Sequence, residues 1–326
     1  MNINKVAILF QSTNKVPIEI EERHYAAIRQ TLPGVEIIRA FDEEELLSKT
    51  DDADVLLTWG QYKPIKFCTK AKNLKWIHAI SAGVEGVTTP EILELGAVIS
   101  STKGIHGIPM ADHTMAFILS FLRLFPLFAR QQQNRVWLKH KECEETTGKT
   151  VGIIGLGSIG KEVAKKAKLF GMRVVATKRT PVECEWVDHL YSENELDKLL
   201  TESDFVVVVV PLTPETLKLI GEKELRMMKT SAYIINIGRG PIVDEQALIK
   251  VLEEGAIAGA GLDVVEVEPL PTESPLWNMS NVIITPHTSA DSPLYMDRAI
   301  KVFCENLKRL ISGEKLLYEV KKSKGY

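Results

Sequence analysis

The sequence predicts an α/β fold: two domains with parallel sheets. Three observations carry this expectation. Strand-like and helical stretches alternate in both halves, the run Val151-Gly152-Ile153-Ile154-Gly155-Leu156-Gly157-Ser158-Ile159-Gly160 joins a strand to a helix through a glycine turn, and 326 residues suffice for two cores of ordinary size.

In order along the chain, Val6 to Phe10 reads as a strand, Ile20 to Thr31 as a helix, Val35 to Arg39 as a strand, Glu43 to Lys49 as a helix and Val55 to Trp59 as a strand. Leu74 to Ala79 and Ala97 to Ser100 are further strands, and the loop SAGVEG (81–86) follows the first of them. A long apolar helix is expected from Pro109 to Gln132, ended or kinked by Pro126, because proline lacks an N–H and clashes with the preceding turn. The second α/β unit opens at Thr150 and adds strands at Phe205 to Val210, Tyr233 to Asn236, Ala258 to Leu262 and Val282 to Thr285. Five consecutive valines, Val206 to Val210, fit a central strand buried on both faces. The last helix, Leu294 to Ile311, follows no new strand, so the chain is expected to return there to the first domain. The expected domains are therefore 1–104 plus 291–326, and 105–290.

The glycine turn reads as a dinucleotide site. Gly155 allows the tight turn, Gly157 lets the backbone approach a pyrophosphate and Gly160 lets the helix pack closely on the sheet, while Ser158 and Ile159 open that helix toward the phosphates. Lys161 to Phe170 has helical spacing, Gly171 is placed to end the helix, and Met172 to Ala176 completes a β-α-β unit of about 30 residues. An NAD-binding unit carries an acidic residue roughly 20 positions past the glycines. Here the strand runs into Thr177-Lys178-Arg179-Thr180 instead. Lys178 and Arg179 can pair with a 2′-phosphate and Thr180 can donate to it, which predicts NADP(H), with NAD(H) as the alternative.

Composition narrows the function classes. Apolar residues at 45% and charged residues at 25% are ordinary for a soluble globular protein, and a net charge of −3 without a dense basic block gives no support to nucleic-acid binding. The four cysteines, at positions 68, 143, 184 and 304, show no metal or redox spacing, so no metal is expected and a reduced, cytoplasmic setting fits. The start, MNINKVAILF, reads as a first strand rather than a signal peptide, no apolar run reaches membrane-span length, and the basic Lys321, Lys322 and Lys324 read as a frayed terminus.

Three polar residues follow strand ends in the second unit, where ligands of open α/β sheets bind. Arg239 in NIGRG (236–240) can hold a carboxylate bidentately and polarise a carbonyl. His287 in TPHTSA (285–290) can deliver a proton near neutral pH, and Glu268 in DVVEVEPLP (263–271) can fix its tautomer and favour its charged form.

GLGSIG, PLTPET (211–216), NIGRG, DVVEVEPLP and TPHTSA occur in the order and at the approximate spacing of the D-isomer-specific 2-hydroxyacid dehydrogenases, which the chain resembles over nearly its whole length. SAGVEG, GIHGIPMADH (104–113) and Lys178 in place of the usual acid look like the NADP-preferring glyoxylate and hydroxypyruvate reductase branch. The resemblance implies that Arg239 binds substrate, that Glu268 supports His287, and that His287 donates the proton. It implies that Ala82, Gly83 and Val84 offer backbone N–H groups to the substrate carboxylate and that Asp263 lies near the nicotinamide carboxamide. Further cofactor contacts are implied at Pro211, Thr216, Ile237, Gly238, Ser289 and Ala290. It also implies two Rossmann-like domains with the catalytic cleft between them, and a homodimer joined through the cofactor domains and the long connecting helix, with a small 2-oxo or 2-hydroxy acid as the other partner.

The expected reaction is NADPH-dependent reduction of a 2-oxo acid to the D-2-hydroxy acid. The competing readings are a cofactor-sensing, corepressor-like binding protein and a relative acting on another substrate such as formate, phosphite or 3-phosphoglycerate. Trp59, Tyr62, Ser81, Met110, Trp137 and Tyr295 are candidates for the pocket wall, each equally consistent with packing. His106 and His113 read as helix-end residues.

Overall fold

The computed structural model describes residues 2–10, 20–139, 142–180 and 183–320. The lysines at 321, 322 and 324 lie outside them. The described residues form two compact units, one made of the residues up to Ile105 and from Ser292 on, the other of His106–Asp291.

The first unit contains β1 (Lys5–Leu9), α1 (Glu22–Thr31), β2 (Glu36–Ala40), α2 (Glu43–Lys49), β3 (Val55–Thr58), α3 (Ile65–Lys70), β4 (Trp76–Ala79), α4 (Pro90–Leu93) and β5 (Val98–Ser101). Their sheet is parallel, in the order β2-β1-β3-β4-β5, with Val6 opposite Val55 and Val55 opposite Trp76. That order belongs to the flavodoxin-like variant of doubly wound folds. β3 and β4 are buried at every position, as central parallel strands must be. Helix α2 starts where Asp42 accepts from the N–H of Glu45, satisfying one of the first-turn donors.

A buried polar network joins β4 and β5, and Asn306 Nδ2 of the last helix reaches it at Ser100 Oγ, 3.4 Å away. Ser100 Oγ accepts from Trp76 Nε1 at 2.8 Å and donates to His78 Nδ1 at 2.7 Å. His78 Nε2–H donates to Thr102 Oγ1 at 3.2 Å, and the Thr102 hydroxyl donates to the Ala79 carbonyl at 2.8 Å. Each hydrogen therefore has one place to go, which fixes His78 as the neutral Nε2–H tautomer. Burial holds its pKa down at about 3.

The second unit contains α5 (Gly107–Leu122), α6 (Phe125–Gln133), β6 (Thr150–Ile154), α7 (Ser158–Leu169), β7 (Arg173–Thr177), β8 (His189–Tyr191), α8 (Leu196–Glu202), β9 (Phe205–Val208), α9 (Glu222–Met227), β10 (Tyr233–Asn236), α10 (Glu245–Glu253), β11 (Gly259–Leu262) and β12 (Val282–Ile284). These strands form a parallel sheet in the order β12-β11-β10-β9-β6-β7-β8, reversing direction of growth at β6. The valine run is central, with Val206 and Val208 in the core on one face and Phe205 and Val207 in the core on the other. It ends as a strand at Val208, where the chain turns out of the sheet.

The single long helix expected from Pro109 is two helices. They are bent by 68° at a break where Leu124 is left-handed, with φ 59°. Pro126 does not kink the first helix; it sits in the opening turn of the second, where its missing N–H costs nothing. No single helix among the described residues is long and apolar enough to cross a membrane. The last helix, α11 (Tyr295–Ser312), returns to the first unit, and Tyr295 donates to the Ile80 carbonyl at 2.8 Å. Asn306 on α11 holds the following segment through Leu317, and that segment pairs with β5 by Ser101 N–H to the Tyr318 carbonyl at 3.1 Å and Val320 N–H to the Ile99 carbonyl at 2.9 Å.

Candidate active site

The strand order of the second sheet lines up the predicted residues along one carboxyl edge. From one side to the other come the loop after β12 with His287, the loop after β11 with Asp263 and Glu268, Arg239 after β10, the glycine turn after β6 and Lys178 after β7. Residues scattered over some 130 positions of sequence thus come from neighbouring strand ends.

Each glycine of the turn is required for its own reason. Gly155 has φ +106°, a conformation L side chains rarely adopt. A Cβ at Gly160 would stand 2.3 Å from the Gly155 carbonyl oxygen, so the helix could not pack so closely. A Cβ at Gly157 would meet nothing within 4 Å. That open space lies at the N-terminus of the 12-residue helix α7, whose first N–H groups and dipole favour a phosphate. The residues fit a bound dinucleotide.

At the end of β7, Lys178 Nζ donates to the Leu156 carbonyl at 2.9 Å, which ties the cation to the glycine turn and leaves two of its N–H donors. Arg179 and Thr180 are exposed. Arg179 Nε lies 3.5 Å from Glu193 Oε2, a carboxylate supplied from just beyond β8. The sequence reading missed Glu193, because β8 is only three residues long and gives no periodic signal.

The Pro211–Thr216 loop closes on itself, the Thr216 hydroxyl donating to the Pro211 carbonyl at 2.7 Å. Ile237 is buried, and Gly238 N–H is held by Asn236 Oδ1 at 3.1 Å. Asn236 Nδ2 also donates to the Arg239 carbonyl at 3.1 Å, so one side chain shapes the whole turn. The half-buried Arg239 uses Nη1 on the Gly238 carbonyl at 2.9 Å, which leaves most of its five donors for a ligand. Its charge also bears on His106, whose pKa is pushed down to about 4, mainly by burial and further by that guanidinium.

His287 and Glu268 are brought into direct contact, Nδ1 to Oε2 at 2.8 Å. With Nδ1 committed to the carboxylate, Nε2 is the ring nitrogen that can face a substrate. His287 is left-handed, with φ +55°, an unusual conformation for a residue with a side chain. Asp263 lies beneath it with a side chain fully out of solvent, accepting at Oδ1 from Thr288 N–H at 2.9 Å and at Oδ2 from Ser289 N–H at 3.0 Å. Ser289 is buried and Ala290 packs at the edge of the core. His113, expected at a helix end, stands inside α5 with Nε2 2.9 Å from Thr285 Oγ1.

The remaining predicted residues belong to the first unit, except Met110 and Trp137, which belong to the second. The Ala82-Gly83-Val84 loop follows β4 and is pinned by Ser81, whose hydroxyl accepts from Gly60 N–H at 2.9 Å and donates to the Gly83 carbonyl at 2.8 Å. Among the pocket-wall candidates, Tyr295 is buried against Trp59, whereas Trp137 is fully exposed.

A sheet of this order with a glycine turn at its switch point and an arginine, glutamate and histidine on adjacent strand ends defines a dinucleotide-dependent oxidoreductase. Comparison with known proteins makes the class specific. Residues 115–289 match the family described as D-isomer specific 2-hydroxyacid dehydrogenase, NAD binding domain. The glyoxylate reductase of Thermofilum pendens is 36% identical over 281 residues, 83% of this chain and 82% of that protein. The D-3-phosphoglycerate dehydrogenase of Methanocaldococcus jannaschii is 35% identical over 88% of this chain, which spans only 55% of that relative. Among solved structures, the D-isomer specific 2-hydroxyacid dehydrogenase of Xanthobacter autotrophicus in complex with NADPH and MES superposes with a TM-score of 0.83 at 31% identity, covering all of both chains. The chain belongs to the D-isomer-specific 2-hydroxyacid dehydrogenase family and is an NAD(P)-dependent oxidoreductase.

Proposed function

We propose that the protein reduces a small 2-oxo acid of the glyoxylate or hydroxypyruvate kind to the D-2-hydroxy acid, with NADPH in preference to NADH. The observation that carries the chemistry is the 2.8 Å contact between His287 Nδ1 and Glu268 Oε2, one strand end away from Arg239. Glu268 accepts the Nδ1 hydrogen and orients the ring, so that His287 gives a proton from Nε2 to the substrate oxygen. Arg239 takes the carboxylate with paired N–H donors and polarises the carbonyl. When bound, NADPH supplies the hydride to C2, and the products are the hydroxy acid and NADP⁺. Pro211, Thr216, Ile237, Gly238, Asp263, Ser289 and Ala290 complete the cofactor's surroundings in this reading, beside the Gly155, Gly157 and Gly160 turn with Ser158 and Ile159.

The preference for NADPH rests on Lys178, Arg179 and Thr180, which follow β7 where an NAD-binding unit carries an acidic residue. NADH remains usable because Glu193, in contact with Arg179, supplies a carboxylate beside that cation.

The active form is proposed to be a cytoplasmic homodimer. Phe125, Pro126 and Ala129 of α6 line an open groove with Val282, Ile283 and Ile284 of the edge strand β12, and Phe125, Val136, Trp137 and Leu138 are exposed. An apolar surface of this kind on a sheet edge is suited to burial by a second copy.

The test is a panel of glyoxylate, hydroxypyruvate, pyruvate and bulkier 2-oxo acids, each assayed with NADPH and NADH. Turnover of glyoxylate or hydroxypyruvate with a higher kcat/KM for NADPH supports the reading. A kcat/KM ratio of NADPH to NADH below one overturns the cofactor assignment, and inactivity on every acid favours the sensing alternative.

A further inference from the structure

We propose that Thr285 and His113 are positioning residues for the proton donor, acting through Asp263 to hold His287 in its left-handed conformation. The proposal rests on the assignment of His287 as proton donor.

A side-chain-bearing residue at φ +55° is strained and persists only where its surroundings over-determine it. Here three consecutive N–H groups converge on one residue: His287 N–H donates to the Asp263 carbonyl at 2.8 Å, Thr288 N–H to Oδ1 at 2.9 Å and Ser289 N–H to Oδ2 at 3.0 Å. His287 N–H also reaches the Thr285 carbonyl at 2.9 Å, closing a tight turn over Pro286. The conformation of His287 thus depends on where the Asp263 carboxylate sits.

The carboxylate is placed in turn from the side. The Thr285 hydroxyl has one hydrogen and gives it to Asp263 Oδ1 at 2.6 Å, so toward His113 it can only accept, and His113 Nε2 must carry a hydrogen across the 2.9 Å contact. His113 Nε2 is also 3.8 Å from Asp263 Oδ1. The imidazole is anchored on α5 edge-on to Phe117, with ring centroids 4.8 Å apart. The chain of donors His113 to Thr285 to Asp263 therefore references the loop of the proton donor to a long helix packed against α7, which carries the glycine turn at its N-terminus. A proton donor displaced by even about 1 Å loses rate steeply. A brace that fixes both the loop and the helix beside the dinucleotide keeps His287 in register with it.

Thr285→Val keeps the shape and removes the hydroxyl; Thr285→Ser keeps the hydroxyl. With glyoxylate and NADPH, Thr285→Val is expected to lower kcat about ten- to a hundredfold with the NADPH KM unchanged, while Thr285→Ser stays near wild type. His113→Phe, which preserves the ring packing, is expected to lower kcat in the same direction by less. Thermal unfolding of each variant separates loss of rate from loss of fold. Wild-type kcat in a folded Thr285→Val, equal losses in the Val and Ser variants, or a raised NADPH KM at unchanged kcat would each overturn the proposal. His287→Ala run in parallel separates the two claims: if it keeps its kcat, the proton-donor assignment falls, whereas its loss alongside an unaffected Thr285→Val removes only the brace.

Discussion

Two polar clusters, one in each unit, use similar side chains to opposite ends. In the first unit, Trp76, His78, Ser100, Thr102 and Asn306 are joined by hydrogen bonds, and His78 is completely buried and neutral. At the carboxyl edge of the second sheet, His113, Thr285 and Asp263 end on backbone N–H groups of a loop whose histidine is substantially exposed. A network that stays within buried strands and a buried helix face specifies packing. One that ends on a loop specifies where a reactive group points. The difference is where the last hydrogen bond lands.

The largest effect on this comparison is expected from His78→Leu. It removes the partner of two buried hydroxyls and should cost about 2–4 kcal/mol of stability, read by denaturant unfolding, while the folded fraction keeps its kcat. A fall in kcat with unchanged stability would make the first cluster part of the chemistry.

Stability against pH gives a continuous effect, spread over several pH units. His78 has a folded pKa of about 3 against an ordinary value near 6.5, and His106 one of about 4. The unfolded chain therefore takes up these protons first as pH falls. The stability that comes from keeping the imidazoles neutral is complete above about pH 6.5 and is lost below it, at up to about 1.4 kcal/mol per pH unit for each histidine until its folded pKa is reached. Urea unfolding between pH 7 and 4 should show this slope, and His78→Leu should make it shallower.

The glycine turn supplies a mild contrast of its own. Gly160→Ala places a Cβ 2.3 Å from a backbone oxygen and should cost about 1–3 kcal/mol. Gly157→Ala meets open space and should leave the unfolding midpoint almost unchanged while raising the NADPH KM. Equal effects of the two on stability would remove the distinction between packing glycine and ligand glycine.

Much of this arrangement was legible in the sequence, for identifiable reasons. Strands such as Val206-Val207-Val208 announce themselves by unbroken β-branched runs, and the glycine turn by its spacing between a strand and a helix. Glu268 and His287 could be singled out because each follows a strand end. The break at Leu124 was not legible, because Pro126 is equally compatible with ending a helix and with starting one. Glu193 follows a strand too short to have a pattern. The roles of Thr285 and His113 arise from a hydrogen-bond chain spanning 172 positions, which no local pattern encodes.

In the proposed reaction His287 is the group that protonates the reduced substrate. Steady-state reduction of glyoxylate by NADPH in His287→Asn, set against the wild type, isolates that step. A kcat lower by about 100- to 10 000-fold is expected, the range of a general acid, with the NADPH KM and thermal unfolding unchanged. A folded His287→Asn enzyme that turns over at the wild-type rate would contradict it.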